Sequence, residues 1–460
     1  MVDRNVRRQS QQRRDRIRRQ AHRVGAVDFF NMLTGSQLLE LTEAHLPEHR
    51  ERLYPPTVTL SMFMKQVLAA DRSCQRAVNA WAGQRAAEGL SITSIRTGAY
   101  CQARARLPLE LVMALTHQTG HLLSTQAPHA WRWRGRAVKL ADGTGISMPD
   151  TPENQACYPQ PSTQAEGVGF PLARLVGIVC LSTGAVLQAA IGPHAGKGHS
   201  ELDLFRSLLP ALSAGDVLLA DALYCDYFTI STLQAAGIDV LFEQHGSRIT
   251  DFRRGCRLAQ RDHRVRWSKP KMRPAWMTLE QYQAFPNELT VREVKVDGQV
   301  LVTTMLDARE VHKGELSNLY ACRWHVELDI RNIKTTLGMD VLRCLTPQMV
   351  QKELWVYLLA YNVIRLLMAQ AACNAGVHPR ELSFKHTVQM WTEWTARTLS
   401  AELPRTVEFF RLIAQLQVGN RPGRMEPRAR KRRPKSYPWL KVPRAEARRQ
   451  IRTYGHLLCA

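Results

Sequence analysis

VKLADGTG, residues 138–145, and DVLLADALYC, residues 216–225, are built alike. Each is a short apolar run that ends in an acid, Asp142 in the first and Asp221 in the second. Bounded apolar runs of this length read as buried strands. Strand ends are where a sheet presents polar side chains to a crevice, and Gly143 permits an immediate turn after Asp142. The plainer reading is that each aspartate only caps or turns the chain.

The flanking sequence has the texture of a mixed sheet. RLVGIVCLSTGAVLQAAIG (174–192) reads as two strands around a Ser-Thr-Gly-Ala turn, and LDLFRSLLPAL (202–212) as a helix. YFTISTLQAAG (227–237) follows as a helix and DVLFEQ (239–244) as a strand. Strands and helices in this order predict an α/β domain with helices packed on a mixed sheet. Residues 246–316 break the pattern: a basic, turn-rich run precedes LTVREVKVDGQVLVTTML (289–306), which alternates about Asp297-Gly298 as a hairpin does. Upstream, residues 26–130 carry apolar residues at three and four spacing and read as helical. Within them SIRTGAYCQARARLP (94–108) is either a DNA-facing patch or an exposed helix.

Charge is concentrated at the ends. Lys and Arg exceed Asp and Glu by 23 over 460 residues. Residues 1–23 hold nine Arg against two Asp (+7), and residues 419–460 hold thirteen Lys or Arg against two Glu (+11), leaving +5 for everything between. Such runs are either solvated tails or arms that dock on phosphates, and the second reading agrees with the chemistry of the middle. The ten cysteines form no CxxC pair, which fits neither a disulfide framework nor a zinc ribbon. His194 and His199, with no nearby cysteine or second histidine pair, read as loop residues. The longest apolar run, Leu354 to Ala372, contains Asn362 and Arg365 and reads as a buried helix rather than a membrane span. The Arg-rich start lacks an apolar signal segment, so the expected location is the cytoplasm.

YACRWHVELDIRNIK (320–334) sharpens the chemistry. Tyr320, Arg323, Glu327 and Lys334 stand at offsets of 0, 3, 7 and 14, which at about 100° per residue share one helix face within an arc of about 60°. A mixed charged face is usually just a solvated one. Here a carboxylate between two cations also suits a centre that holds both metal and phosphate. Glu327 would ligate a hard cation, Arg323 would fork onto a phosphate, Lys334 would add a point charge and Tyr320 a hydrogen bond. With Asp142 and Asp221 it gives three carboxylates that repel one another unless cations lie between them; two Mg2+ ions about 4 Å apart are expected, with Mn2+ able to substitute.

These residues resemble the DDE transposases of the insertion sequence four family. The Y-xx-R-xxx-E-xxxxxx-K signature of that family fits Tyr320, Arg323, Glu327 and Lys334 without a gap, LADGTGISMPDTPENQ (140–155) looks like its first acidic motif, and GDVLLADALYCDYF (215–228) like its second. The resemblance runs from about Leu60 to the basic C-terminal segment; Ala222-Leu223 departs from it, in place of an expected Arg or Gly. It implies a ribonuclease H-like core, a mixed sheet with flanking helices, interrupted by a β-rich insertion. The expected organisation is a basic arm (1–25), a helical DNA-binding domain (26–130), the core in two parts (131–245 and 317–375) around the insertion (246–316), and a C-terminal helical segment with a basic tail (376–460). The implied activity is metal-dependent cleavage and strand transfer at the terminal inverted repeats of double-stranded DNA, by a homodimer that joins two ends to target DNA. In relatives a hairpin forms at each end and an aromatic of the insertion stacks on a flipped base. Trp267, in RVRWSKPK, is the candidate for that role and Trp276 the rival, against a Trp that packs the insertion's own core. A metal-dependent nuclease and a silent DNA-binding regulator are the alternative functions.

Overall fold

The computed structural model describes residues 36–46, 53–87, 89–91, 94–196, 198–397, 403–418 and 442–455. The basic arm and the segment 419–441 lie outside the described residues. In chain order the helices are α1 (Ser36–His45), α2 (Pro56–Leu68), α3 (Cys74–Ala87), α4 (Gly98–Arg106), α5 (Leu109–Thr125), α6 (Pro152–Cys157), α7 (Glu201–Leu208), α8 (Tyr227–Ala235), α9 (Leu279–Ala284), α10 (Lys313–Ala321), α11 (Trp324–Arg331), α12 (Pro347–Ala375), α13 (Phe384–Arg397), α14 (Leu403–Gln415) and α15 (Arg444–Tyr454). The strands are β1 (Val138–Ser147), β2 (Leu172–Cys180), β3 (Val186–Pro193), β4 (Val217–Ala220), β5 (Asp239–Glu243), β6 (Cys256–Ala259), β7 (Asp262–Ser268), β8 (Glu288–Val296) and β9 (Gln299–Thr303).

All nine strands join one mixed sheet in the order β3-β2-β1-β4-β5-β9-β8-β7-β6. β2 runs antiparallel to β1 and β3, whereas β4 runs parallel to β1 and to β5. The strands of residues 246–316 extend this sheet: β9 pairs antiparallel with β5, and β8, β7 and β6 continue outward. The hairpin at Asp297-Gly298 is present, with positive φ at both positions (47° and 86°) and Val296 opposite Gln299. Two consecutive positive φ values give the turn a twist that matches the strands, which is why Asp-Gly serves there.

The sheet has two covered faces. Val138, Leu140 and Ile146 of β1 pack with α2, α5 and α12, while Ala141 of β1, Leu218 and Ala220 of β4 and Val176 of β2 pack with α7 and α8. Leu60, Phe63, Leu111 and Leu115 of the N-terminal helices share the first of these cores with α12. Helix α12 is long and apolar enough to cross a membrane, yet it is mostly buried within the protein. Its polar residues have structural work. Asn362 closes the edge of β3: its amide donates to the carbonyls of Val186 (2.8 Å) and Thr116 (3.0 Å) and accepts from the Val186 N–H (2.8 Å). A buried amide that satisfies three backbone groups costs little and fixes the helix against the strand. Arg365 forms an ion pair with Asp329 of α11.

The segment 94–108 is exposed along most of its length, Arg96, Gln102 and Arg106 included, and is anchored by a few buried side chains. Tyr100 is buried and donates to Gln66 Oε1 (2.9 Å), and Arg104 lies 4.0 Å over the Phe63 ring with its guanidinium on the Cys74 and Cys344 sulfurs. The nine described cysteines are free thiols.

Candidate active site

Strand β1 does not end at its acid. It continues for five residues past Asp142, with Asp142 opposite Gly177 of β2 and Gly143 opposite Val176. Gly143 therefore makes no turn. What stops near Asp142 is the parallel pairing with β4: Val138, Lys139 and Leu140 face Val217, Leu218 and Leu219, a constant offset of 79 residues. Carried two residues past its last pair, that offset would bring Asp142 level with Asp221, the first residue after β4, and the Asp221 charge does act on Asp142. Side chains alternate along a strand. Asp142 thus belongs with Leu140 and Ile146, on the sheet face covered by Val326 and Ile333 of the signature segment.

The signature segment is three pieces rather than one helix. Helix α10 carries Tyr320, the chain is interrupted at Cys322-Arg323, α11 carries Glu327, and a π-helical turn, Asn332–Thr336, carries Lys334. The extended helical arc is therefore corrected: a wider turn aims Lys334 differently. Its Nζ donates to Thr144 Oγ1 (3.0 Å) and to the Gly145 carbonyl (2.7 Å), two and three residues beyond Asp142. Arg323 donates from Nη2 to Glu327 Oε1 (2.8 Å). Tyr320 Oη donates to Glu243 Oε2 (3.4 Å), at the end of β5.

Electrostatics tie these groups together. Burial pushes the Asp142 carboxyl up to about 7; the Gly143 N–H opposes this, the charges of Glu201 and Asp221 add to it, and Arg323 opposes it. The rise is mainly the cost of taking the carboxylate out of water, with the neighbouring carboxylates adding to it. Burial likewise raises the Tyr320 phenol, against the pull of Arg323, with Glu243 and Asp221 adding to the rise. Asp221 also caps its own turn, accepting from the Leu223 N–H (2.8 Å), as the plainer reading expects. Among the described residues, no three His, Cys, Asp or Glu side chains stand close enough together, as placed, to hold an ion. Glu327 is turned to Arg323. The donor set nonetheless suits a hard divalent cation, because it consists of carboxylate oxygens, the ligands such ions prefer.

Glu201 escaped the reading of the sequence. It is the first residue of α7, and Tyr224 Oη donates to its Oε1 (2.9 Å). A Cβ at position 143 would fall 2.4 Å from Glu201 Cδ, so Gly143 is there for close approach. Ser200 and Asp203 form a capping box at the start of α7, but nothing local in the sequence says that this start abuts β1. Glu243 could have been found, since it ends an apolar strand in DVLFEQ as Asp221 does in DVLLAD.

The tryptophan assignment is corrected. Trp267 is 3% exposed, its Nε1 donates to Glu293 Oε1 (2.7 Å), and the Arg248 guanidinium lies 3.6 Å from its ring centroid. Glu293 is also bonded to His263 Nε2 (2.9 Å). With both its ring and its N–H engaged inside, Trp267 has no face for a base and packs the interior of the segment. Trp276 is 45% exposed, with Arg206 of α7 3.8 Å from its ring centroid.

Residues 133–363 match the family described as "Transposase DDE domain". The chain is 31% identical over 362 residues to "Transposase InsG for insertion sequence element IS4" of Escherichia coli (strain K12), covering 75% of this chain and 78% of that protein. Among solved structures it is similar to a piggyBac transposase synaptic complex with hairpin DNA, at 10% identity and a TM-score of 0.39, over 81% of this chain and 87% of that one.

Proposed function

The chain belongs to the DDE transposases of the insertion sequence four family, enzymes that cleave and transfer DNA, and on that footing we propose that Asp142, Asp221 and Glu327 are its catalytic carboxylates. The observation that supports the assignment is the nearness of Asp142 and Asp221 just past the last β1–β4 pair, Leu140 with Leu219, where the Asp221 charge acts on Asp142. The fold around them supports a ribonuclease H-like core, in which β1 to β5 form the central sheet.

Bound divalent cations, Mg2+ with Mn2+ as substitute, would supply Lewis-acid stabilisation of the attacking and leaving oxygens. Asp142 and Asp221 hold their oxygens on one sheet face, anchored by strand pairing and by the Leu223 N–H. Glu327 is held by Arg323, whose guanidinium is a two-pronged donor suited to a phosphodiester. Lys334 fixes the π-helical turn to β1 and adds positive charge beside the path of the strand. Tyr320, kept protonated by burial, is a hydrogen-bond donor. The substrate is double-stranded DNA bearing the element's terminal inverted repeats, brought together with target DNA by a homodimer. The arms 1–23 and 419–460 carry the charge for phosphate contacts that position without reading bases.

A joining assay with labelled end duplexes tests the reaction. In Mg2+ the full chain is expected to nick the ends and to attach them covalently to target DNA, and to do neither in EDTA. Nicking without joining would make the protein a nuclease; binding without either would make it a regulator.

A further inference from the structure

We infer that Glu201 is a fourth acidic member of the metal site, reaching it from the side of the sheet opposite the signature segment. The inference rests on the assignment of Asp142, Asp221 and Glu327 above. Helix α7 lies on the face lined by Ala141, Leu218 and Ala220, whereas Glu327 comes from the face lined by Leu140 and Leu219. A side chain starting on α7 meets the line of Asp142 only where the sheet is thin. Two features make it thin there. β4 pairs with β1 no further than Leu140, and the next backbone partner beside β1 is Val341, opposite Ser147, so no strand pairs with that edge at Asp142 and Gly143. Gly143 has no side chain, and the volume a Cβ would take is filled by the Glu201 carboxylate, at 2.4 Å from Cδ and 2.6 Å from each oxygen.

The carboxylate is also aimed. Tyr224, buried in the α7–α8 core, donates to Oε1 at 2.9 Å, and its ring packs edge-on against Phe205 of the same helix (4.9 Å between centroids). The capping-box pair on α7, Ser200 and Asp203, leaves Glu201 out of the cap. No Lys, Arg or His forms a salt bridge with it among the described residues. A negative group held in a carved space beside Asp142, with a neutral donor on one oxygen and no cation, is arranged to meet a cation supplied from outside.

The test is Mn2+ binding by electron paramagnetic resonance, on the full chain bound to a duplex carrying its own end. Glu201→Gln keeps shape and the Tyr224 contact but removes charge. It is expected to weaken Mn2+ binding about ten- to a hundredfold, the range for residues that support a metal site, at an unchanged melting temperature. Glu201→Asp, which keeps the charge, is expected to bind more tightly than Glu201→Gln. Wild-type affinity in Glu201→Gln, beside lost affinity in Asp142→Asn, would overturn the inference and leave the triad standing. Equal weakening in Glu201→Asp and Glu201→Gln would overturn it too, since shape rather than charge would then matter. Unchanged binding in both Asp142→Asn and Glu201→Gln would overturn the triad assignment and the inference together.

Discussion

Asp142→Asn is expected to lower the rate of end cleavage by on the order of 10³-fold or more, about 4 kcal/mol of transition-state stabilisation, while end binding stays within about threefold, below ~1 kcal/mol. Asparagine preserves the size of the side chain, the strand pairing with Gly177 and the N–H contact from Gly143. It removes only the charge. Because Asp142 is already crowded by Glu201 and Asp221, removing that charge should not harm folding, and relief of like-charge repulsion should raise the melting temperature slightly. The same loss is expected for Asp221→Asn and Glu327→Gln. Cleavage rates and gel-shift affinities on one end duplex check all three; a variant that cleaves within tenfold of wild type would not be a member of the triad.

The second large effect is on stability. Asp329 is fully buried on α11, two residues past Glu327. It pairs with Arg365 of α12 and accepts from Arg380 (2.9 and 3.2 Å) and from Tyr361 Oη (3.0 Å). One carboxylate thus balances two guanidinium groups, one of them buried. Asp329→Ala is expected to destabilise the fold by about 3–5 kcal/mol, the cost of leaving buried charge unpaired. Denaturant unfolding followed by circular dichroism measures it. A loss below about 1 kcal/mol would mean that water or a rearranged partner satisfies Arg365. The network also explains how Glu327 is placed: α11 is fixed to the core helix α12 by Asp329, two residues further on.

Local pattern carried the site further than it carried the geometry around it. The two strand-borne aspartates were legible because apolar runs ending in acids are a local signal, and the hairpin at Asp297-Gly298 because only a few residues tolerate its backbone. That β1 runs on past Asp142 was hidden, since Gly-Thr-Gly resembles a turn and is held straight by β2, a partner distant in sequence. The interruption of the signature segment was hidden too, because its periodicity is good and the π-helical turn answers to β1 rather than to its own residues. Glu201 depends on α7 packing across the sheet. Trp267 was misread through its basic neighbours. Alternation on β7 exposes Arg264 and Arg266 and turns Trp267 inward, and that reading was available in the sequence. The strands of 246–316 extend the main sheet because β9 supplies the antiparallel partner that β5 would otherwise lack on that edge.

The central claim is that Asp142, Asp221 and Glu327 share divalent cations when DNA is in place. Anomalous scattering from Mn2+ in crystals of the full chain with its end duplex measures this directly. The expected result is Mn2+ between these carboxylates, as a pair of ions about 4 Å apart, with Glu327 released from Arg323 towards the metal. A DNA-bound structure in which any of the three carboxylates lies more than roughly 10 Å from the other two, too far to share a metal pair, or in which Mn2+ scattering is absent from the site, would contradict it.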